Sequence, residues 1–117
     1  MNEIINKSSG LKLADKADIA NNFISRFRGL LGRKSLVQGE ALIITQCKQV
    51  HMFGMLFSID AIFCSSENIV LGQVESLAPW SISGHFHGAS YVIELPTGTI
   101  MASRTQIGDK IEISSVA

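Results

Sequence analysis

Residues 17–33, ADIANNFISRFRGLLGR, carry the one clear helical period of this chain. Ile19, Phe23, Ile24, Phe27, Leu30 and Leu31 fall at spacings that make one apolar stripe, with Asn21, Asn22, Arg26 and Arg33 off it. Asp15 or Asp18 is placed to cap the first turn, and Gly29 or Gly32 to end the last. Arg26, Arg28, Arg33 and Lys34 gather at the C-terminal end, where the helix dipole favours positive charge. From residue 40 the pattern changes. ALIIT, SIDAIFC, NIVLGQVESL, SYVIEL and DKIEIS are short runs rich in Ile and Val, separated by Gly, Ser, Asn and Pro turn signals, and each predicts a strand. The link SSEN between Cys64 and Ile69 predicts a tight antiparallel hairpin. Short strands at hairpin spacing with one amphipathic helix predict a mainly β fold. The expected form is a compact antiparallel barrel-like sandwich with the helix covering an open side.

Strand alternation then singles out two carboxylates. In SIDAIFC, Ile59, Ala61 and Phe63 share one face, and Asp60, Ile62 and Cys64 the other. In SYVIEL, Glu94 alternates with Val92, opposite Tyr91, Ile93 and Leu95. Carboxylates in such apolar strands need a cation or several hydrogen-bond donors. Arg26, Arg28, Arg33 and His51 are the candidate partners, so an internal ion pair tying helix to sheet is the structural expectation for Asp60 and Glu94. The same residues, converging on an open apolar pocket, are also the candidates for acid–base chemistry.

The rest of the sequence narrows the chemistry. Lys+Arg and Asp+Glu number 10 each, and this balance argues against nucleic acid or an anionic bilayer as a partner. A length of 117 residues fits one domain spanning 1–117. The opening MNEIINKSSG lacks the apolar core of an export signal, and no run approaches membrane-spanning length. A cytoplasmic protein without membrane insertion is expected. Cys47 and Cys64 lie beside apolar runs and read as buried, reduced thiols. His85 and His87 would point the same way in an extended segment, but Gly84 and Gly88 flank them and suggest an exposed, mobile loop. A metal site would need His51, Asp60 or Cys47 to reach them by folding, so neither a metal nor another cofactor is expected. No nucleophile elbow and no phosphate-cradling glycine loop occurs, and no catalytic residue is assigned. Met52, Met55 and Phe57 read as core filler, with a soft apolar pocket as the alternative.

Four motifs in order resemble the family known as domain of unknown function 192, or uncharacterised protein family 0127. RFRGLLGR matches its Gly-Leu-Met-Gly-Arg element through Gly29, Leu30, Gly32 and Arg33. HMFGMLFSID matches the segment His-Thr-Phe-Phe-Met-Arg-Phe-Pro-Ile-Asp through His51, Phe53, Met55, Phe57, Ile59 and Asp60. VIELPTG and IGD carry Glu94, Pro96, Gly98, Gly108 and Asp109. Gly54, Leu56 and Ser58 depart from the family's usual aromatic, basic or polar, and proline residues. The resemblance implies a mainly β barrel-like sandwich and supplies no reaction. Some relatives look exported or accompany secretion and pilus machinery, which makes such machinery a candidate partner on resemblance alone. The expected function is therefore a non-enzymatic binding module for a protein partner or small ligand, with His51, Met55, Asp60, Trp80, Glu94 and Arg33 as candidate contact residues. Trp80, in APWSISGHFHG, is the expected loop anchor. The competing reading is a small enzyme using Asp60 or Glu94 with His51 as acid and base.

Overall fold

The computed structural model describes residues 1–115, the side chain of Phe23 excepted. Seven strands form one sheet: β1 (Asn2–Asn6), β2 (Lys12–Ala20), β3 (Glu40–Thr45), β4 (Ile59–Cys64), β5 (Val70–Leu77), β6 (Tyr91–Pro96) and β7 (Ile111–Ser115). Their order is β5-β4-β6-β3-β2-β1-β7. Every pairing is antiparallel except β2 with β3, which run parallel. The sheet curls into a half-barrel. Its two outer strands meet at one end, where the Val70 N–H donates to the Asp109 carbonyl at 2.9 Å and the Ile111 N–H to the Asn68 carbonyl at 2.8 Å. Two short helices complete it, α1 (Phe23–Arg28) and α2 (Thr99–Ser103). None of the helices among the described residues is long and apolar enough to cross a membrane.

All five strands expected beyond residue 40 are present, and the β4–β5 hairpin closes through residues 65–68. The alternation holds too. Ile62, Cys64, Tyr91, Ile93 and Leu95 pack in one core with Ile4, Leu13 and Ile111. Ile59, Ala61, Phe63 and Val92 face a second core, roofed by loop residues that include Leu36, Val50, Met52 and Met55. The central strands β4 and β6 are thus apolar on both faces because both are covered.

The N-terminal third differs from expectation. Residues 17–20 belong to β2, and the helix begins only at Phe23, capped by Asn22, whose Oδ1 accepts from the Ser25 N–H at 2.9 Å. Asp15 and Asp18 cap nothing, since both lie within the strand. The helix stops at Arg28 because Gly29 turns to φ 51°. Ile19 is therefore a strand residue. Ile24 and Phe27 are exposed, Leu30 is buried, and Phe23, also placed on the stripe, has its side chain outside the described part. The helical reading of 17–20 rests on Ile19, which falls on the apolar spacing of the helix that follows but lies exposed on β2. The buried residues of β2 beyond Leu13 are Ala14, Ala17 and Ala20, small side chains that do not alternate in period two, so no strand signal offsets Ile19.

The loop that carries His85 and His87 is exposed at both histidines but anchored between them. Phe86 stacks on Phe63 with ring centroids 4.3 Å apart, and its ring occupies the space above Gly72, where a Cβ would come within 1.9 Å of it. The Phe86 N–H also donates to the Lys48 carbonyl, and the Lys48 ammonium to the His87 carbonyl. Gly72→Ala should expel the ring and cost about 2 kcal/mol, a fall of roughly 8 °C in melting temperature. A variant melting within about 2 °C of the parent would show that Phe86 has room to spare.

Candidate functional site

The turns that follow β3 and α1 come together over β6 and leave a cavity of about 130 Å³. Glu94 enters it from β6. Its cross-strand neighbour on β4 is Ala61, a side chain too short to fill the space. Val50, Met52 and Met55 supply apolar walls, while Cys47 and His51 complete the side formed by the loop after β3. Phe27 and Leu31 close the opposite side, with Arg26 and Arg28 beside them. The methionines thus serve both as core and as pocket wall. Cys47 and His51, four residues apart, share the cavity because a turn, not a helix, brings them there.

The Glu94 carboxyl is the unusual feature. The residue is 5 % exposed, and no hydrogen bond or salt bridge of the described residues reaches its carboxyl. Burial pushes its pKa up to about 7, because desolvation disfavours the charged form. Burial likewise raises the Cys47 thiol, with Glu94 adding to the push, and the thiol donates to the Gln49 carbonyl at 3.2 Å. Both effects favour the protonated thiol over the thiolate.

The expected helix-to-sheet ion pair is absent among the described residues. Asp60 is fully buried, and its carboxylate accepts three backbone N–H groups: Ser76 at 3.0 Å, Gly98 at 3.1 Å and Ile100 at 2.9 Å. It ties the left-handed Ser76 of β5 and the start of α2 to β4, and it lies apart from the cavity. Arg33 pairs with Glu40 at 3.1 Å near the surface. Arg26 donates to the Asn21 carbonyl at 3.3 Å. Arg26 and Arg33 thus have other partners, Arg28 is exposed, and backbone donors satisfy Asp60 without a cation.

Of the six candidate residues, His51, Met55 and Glu94 line the cavity, and Trp80 stands beside its mouth. Phe53 bridges them, stacked on His51 at 5.4 Å and tilted against Trp80 at 6.3 Å. Trp80 is 69 % exposed and Phe27 80 %. With Leu31, Phe53 and Ile82, also exposed, they form an apolar collar, to which Ile82 is tied by its bridge to His51. Gly54 stands where the family resemblance expects an aromatic. Its φ of 77° and the approach of Leu31, 3.0 Å from the position of a Cβ, both favour glycine. Arg26, Phe27, Leu31 and Cys47, which also line the cavity, are not among the six candidate contact residues. Cys47 and the helix are visible in the sequence, but only the fold brings them to the cavity that Glu94 lines. His85 and His87 lie together, rings 5.8 Å apart. Among the described residues, no group of three or more His, Cys, Asp or Glu could hold a metal.

Comparison with known proteins agrees with the sequence motifs. The family model DUF192, an uncharacterized ACR family, matches residues 4–113. A UPF0127 protein of Pyrococcus abyssi is 40 % identical over 96 % of this chain and 97 % of its own length. One from Thermococcus sibiricus is 34 % identical over 93 % of this chain and 73 % of its own. The same fold occurs in a solved structure of a protein of unknown function from Novosphingobium aromaticivorans, with a TM-score of 0.80 at 19 % identity, over 95 % of this chain and 82 % of that one. It occurs also in a Sinorhizobium meliloti protein described as a candidate transcription regulator, with a TM-score of 0.81 at 22 % identity, over 95 % and 90 % of the two chains. Matching motifs, a matching family model over nearly the whole chain and a matching half-barrel lead to one conclusion: the chain belongs to the DUF192 (UPF0127) family.

Proposed function

We propose that this domain is a non-enzymatic binding module that presents the cavity and its apolar collar to a protein partner or small ligand. One observation carries the reading: a cavity with an unpartnered buried carboxyl at its floor opens between exposed Phe27, Leu31, Phe53 and Trp80. Apolar pockets with a few convergent polar groups are the usual form of ligand sites, and exposed apolar patches mark interaction surfaces. The balanced charge favours a partner other than nucleic acid or anionic membrane. At 22 % identity, the Sinorhizobium meliloti protein shares the fold alone and brings no DNA-binding role here. Free thiols at Cys47 and Cys64 accord with a cytoplasmic setting. Secretion or pilus machinery is a candidate partner on family resemblance alone.

Trp80 is the only tryptophan, so its emission reports on the mouth of the cavity. A fragment screen followed by resonance shifts should place hits at His51, Phe53 and Trp80. Trp80→Ala should weaken those hits at least about tenfold while moving the melting temperature by no more than about 3 °C, as for other exposed positions. Hits scattered over the surface, or a fold lost with Trp80→Ala, would sink the reading. Acid–base chemistry by Glu94 with His51 is the second reading, favoured by their sharing one cavity. Turnover of a bound fragment, lost in both Glu94→Gln and His51→Ala, would put it first.

A further inference from the structure

We propose that the cavity receives a primary alkylammonium group, the head of a lysine side chain on a partner protein, which pairs with Glu94 while apolar partner residues cover the collar. This rests on the binding reading above and names its partner chemistry. Four observations support it. First, a carboxyl that is buried and unpaired is costly when ionised, and an entering cation with hydrogen-bond donors removes that cost. No side chain of the described residues does so for Glu94. Second, the walls beside it, Val50, Met52 and Met55, are apolar and, at the methionines, adaptable, which suits a methylene stem. Third, the size fits. A cavity of about 130 Å³ is near the roughly 150 Å³ that holds six-carbon benzene in an engineered core. Beyond its Cα a lysine side chain has about five heavy atoms, and an arginine about seven. Fourth, a free amine would leave Phe27, Phe53 and Trp80 uncovered, whereas a lysine flanked by apolar residues would bury them.

The charged and titratable groups around the cavity are Arg26 and Arg28 from α1 and Cys47 and His51 from the loop after β3. Arg28 is exposed and Arg26 half-buried, its guanidinium turned to the Asn21 carbonyl. Arg28 is exposed to screening by salt, while Glu94 is only 5 % exposed, so its pair with an entering cation is screened less. The lysine stays protonated to about pH 10, so Glu94 sets the pH dependence. With its pKa near 7, only about 1 % of the carboxyl is ionised at pH 5, and affinity there should be about 100-fold lower than at pH 8.

The test uses the full chain and three probes: n-butylammonium, the capped peptide Leu-Lys-Phe, and the same peptide with norleucine in place of lysine. Binding is followed by Trp80 emission and calorimetry at pH 5 and pH 8. The expected order at pH 8 is lysine peptide, then n-butylammonium at least tenfold weaker, then norleucine peptide. Glu94→Gln should remove the preference for lysine over norleucine and the pH dependence. Equal binding of the lysine and norleucine peptides would overturn the ammonium inference and leave the apolar binding reading standing. n-Butylammonium binding as tightly as the lysine peptide would overturn the protein source and keep a free amine. Binding of none of the probes at millimolar concentration would overturn the inference and count against the binding reading as well.

Discussion

Asp60→Ala is expected to leave little folded protein at room temperature. The substitution strips the acceptor from the N–H groups of Ser76, Gly98 and Ile100, all bonded to the carboxylate within 3.1 Å. An unsatisfied buried donor costs about 1–3 kcal/mol, and three together come to about 5 kcal/mol. That is close to the whole stability of many small domains, about 5–15 kcal/mol. The damage would be local at first, because the same carboxylate holds the left-handed turn of β5 at Ser76 and the entry to α2, and α2 delivers Ile100 to the core. Asp60→Asn is the graded control. One amide oxygen still serves the Gly98 and Ile100 N–H groups, but the amide nitrogen then faces the Ser76 N–H, so about half the loss is expected. Urea denaturation followed by circular dichroism measures both. An alanine variant whose midpoint stays close to the parent's would refute the claim that Asp60 acts as a backbone anchor.

This anchor also explains why the sequence was legible at one level and not at another. Period-two alternation in residues 59–64 and 91–95 assigned every side chain to its face, because strand geometry leaves no other choice once both faces are covered. The same alternation identified Asp60 and Glu94 as interior carboxylates. It could not say what satisfied them. Every residue but proline carries a backbone N–H, and only the fold decides which converge, so the sequence points to the arginines and not to three donors from β5 and the α2 entry. β2 was hidden for a different reason. Ile19 sits at helical spacing from Phe23 although it faces solvent from β2, and the buried Ala14, Ala17 and Ala20 do not alternate in period two and so give no strand signal.

The candidate site was half legible. His51, Met55, Glu94 and Trp80 meet at one place, although they come from a loop, a strand and a second loop. The family motif HMFGMLFSID drew attention to His51, Phe53 and Met55, and alternation to Glu94. Asp60 belongs to the same motif but faces the other core, since neighbours in a strand point to opposite faces. Arg33 left the site for Glu40 because the helix ended five residues earlier, at Arg28. Sequence proximity grouped these residues, and strand and helix geometry then divided them.

Glu94→Gln should make the protein more stable, and only above mildly acidic pH. The carboxyl titrates near pH 7 in the folded chain against an ordinary value of 4.5. Below pH 4.5 it is protonated in both states and its burial carries no charge penalty. As pH rises from 4.5, the unfolded chain releases the proton first while the folded chain keeps it, so stability falls. Above pH 7 both states are ionised and the loss is complete. The shift corresponds to about 3 kcal/mol, or roughly 12 °C in melting temperature for a domain of this size. Glutamine keeps the shape and cannot ionise, so the two proteins should melt alike at pH 4.5 and diverge up to pH 8, the variant higher. Taking the difference between the two curves cancels the groups they share. Parallel curves across that range would mean that Glu94 is not desolvated as its position implies. A residue that weakens its own fold at neutral pH makes sense where a ligand relieves the cost. The lysine peptide should accordingly raise the melting temperature of the parent at pH 8 by more than the norleucine peptide does, and the two peptides should act alike on Glu94→Gln.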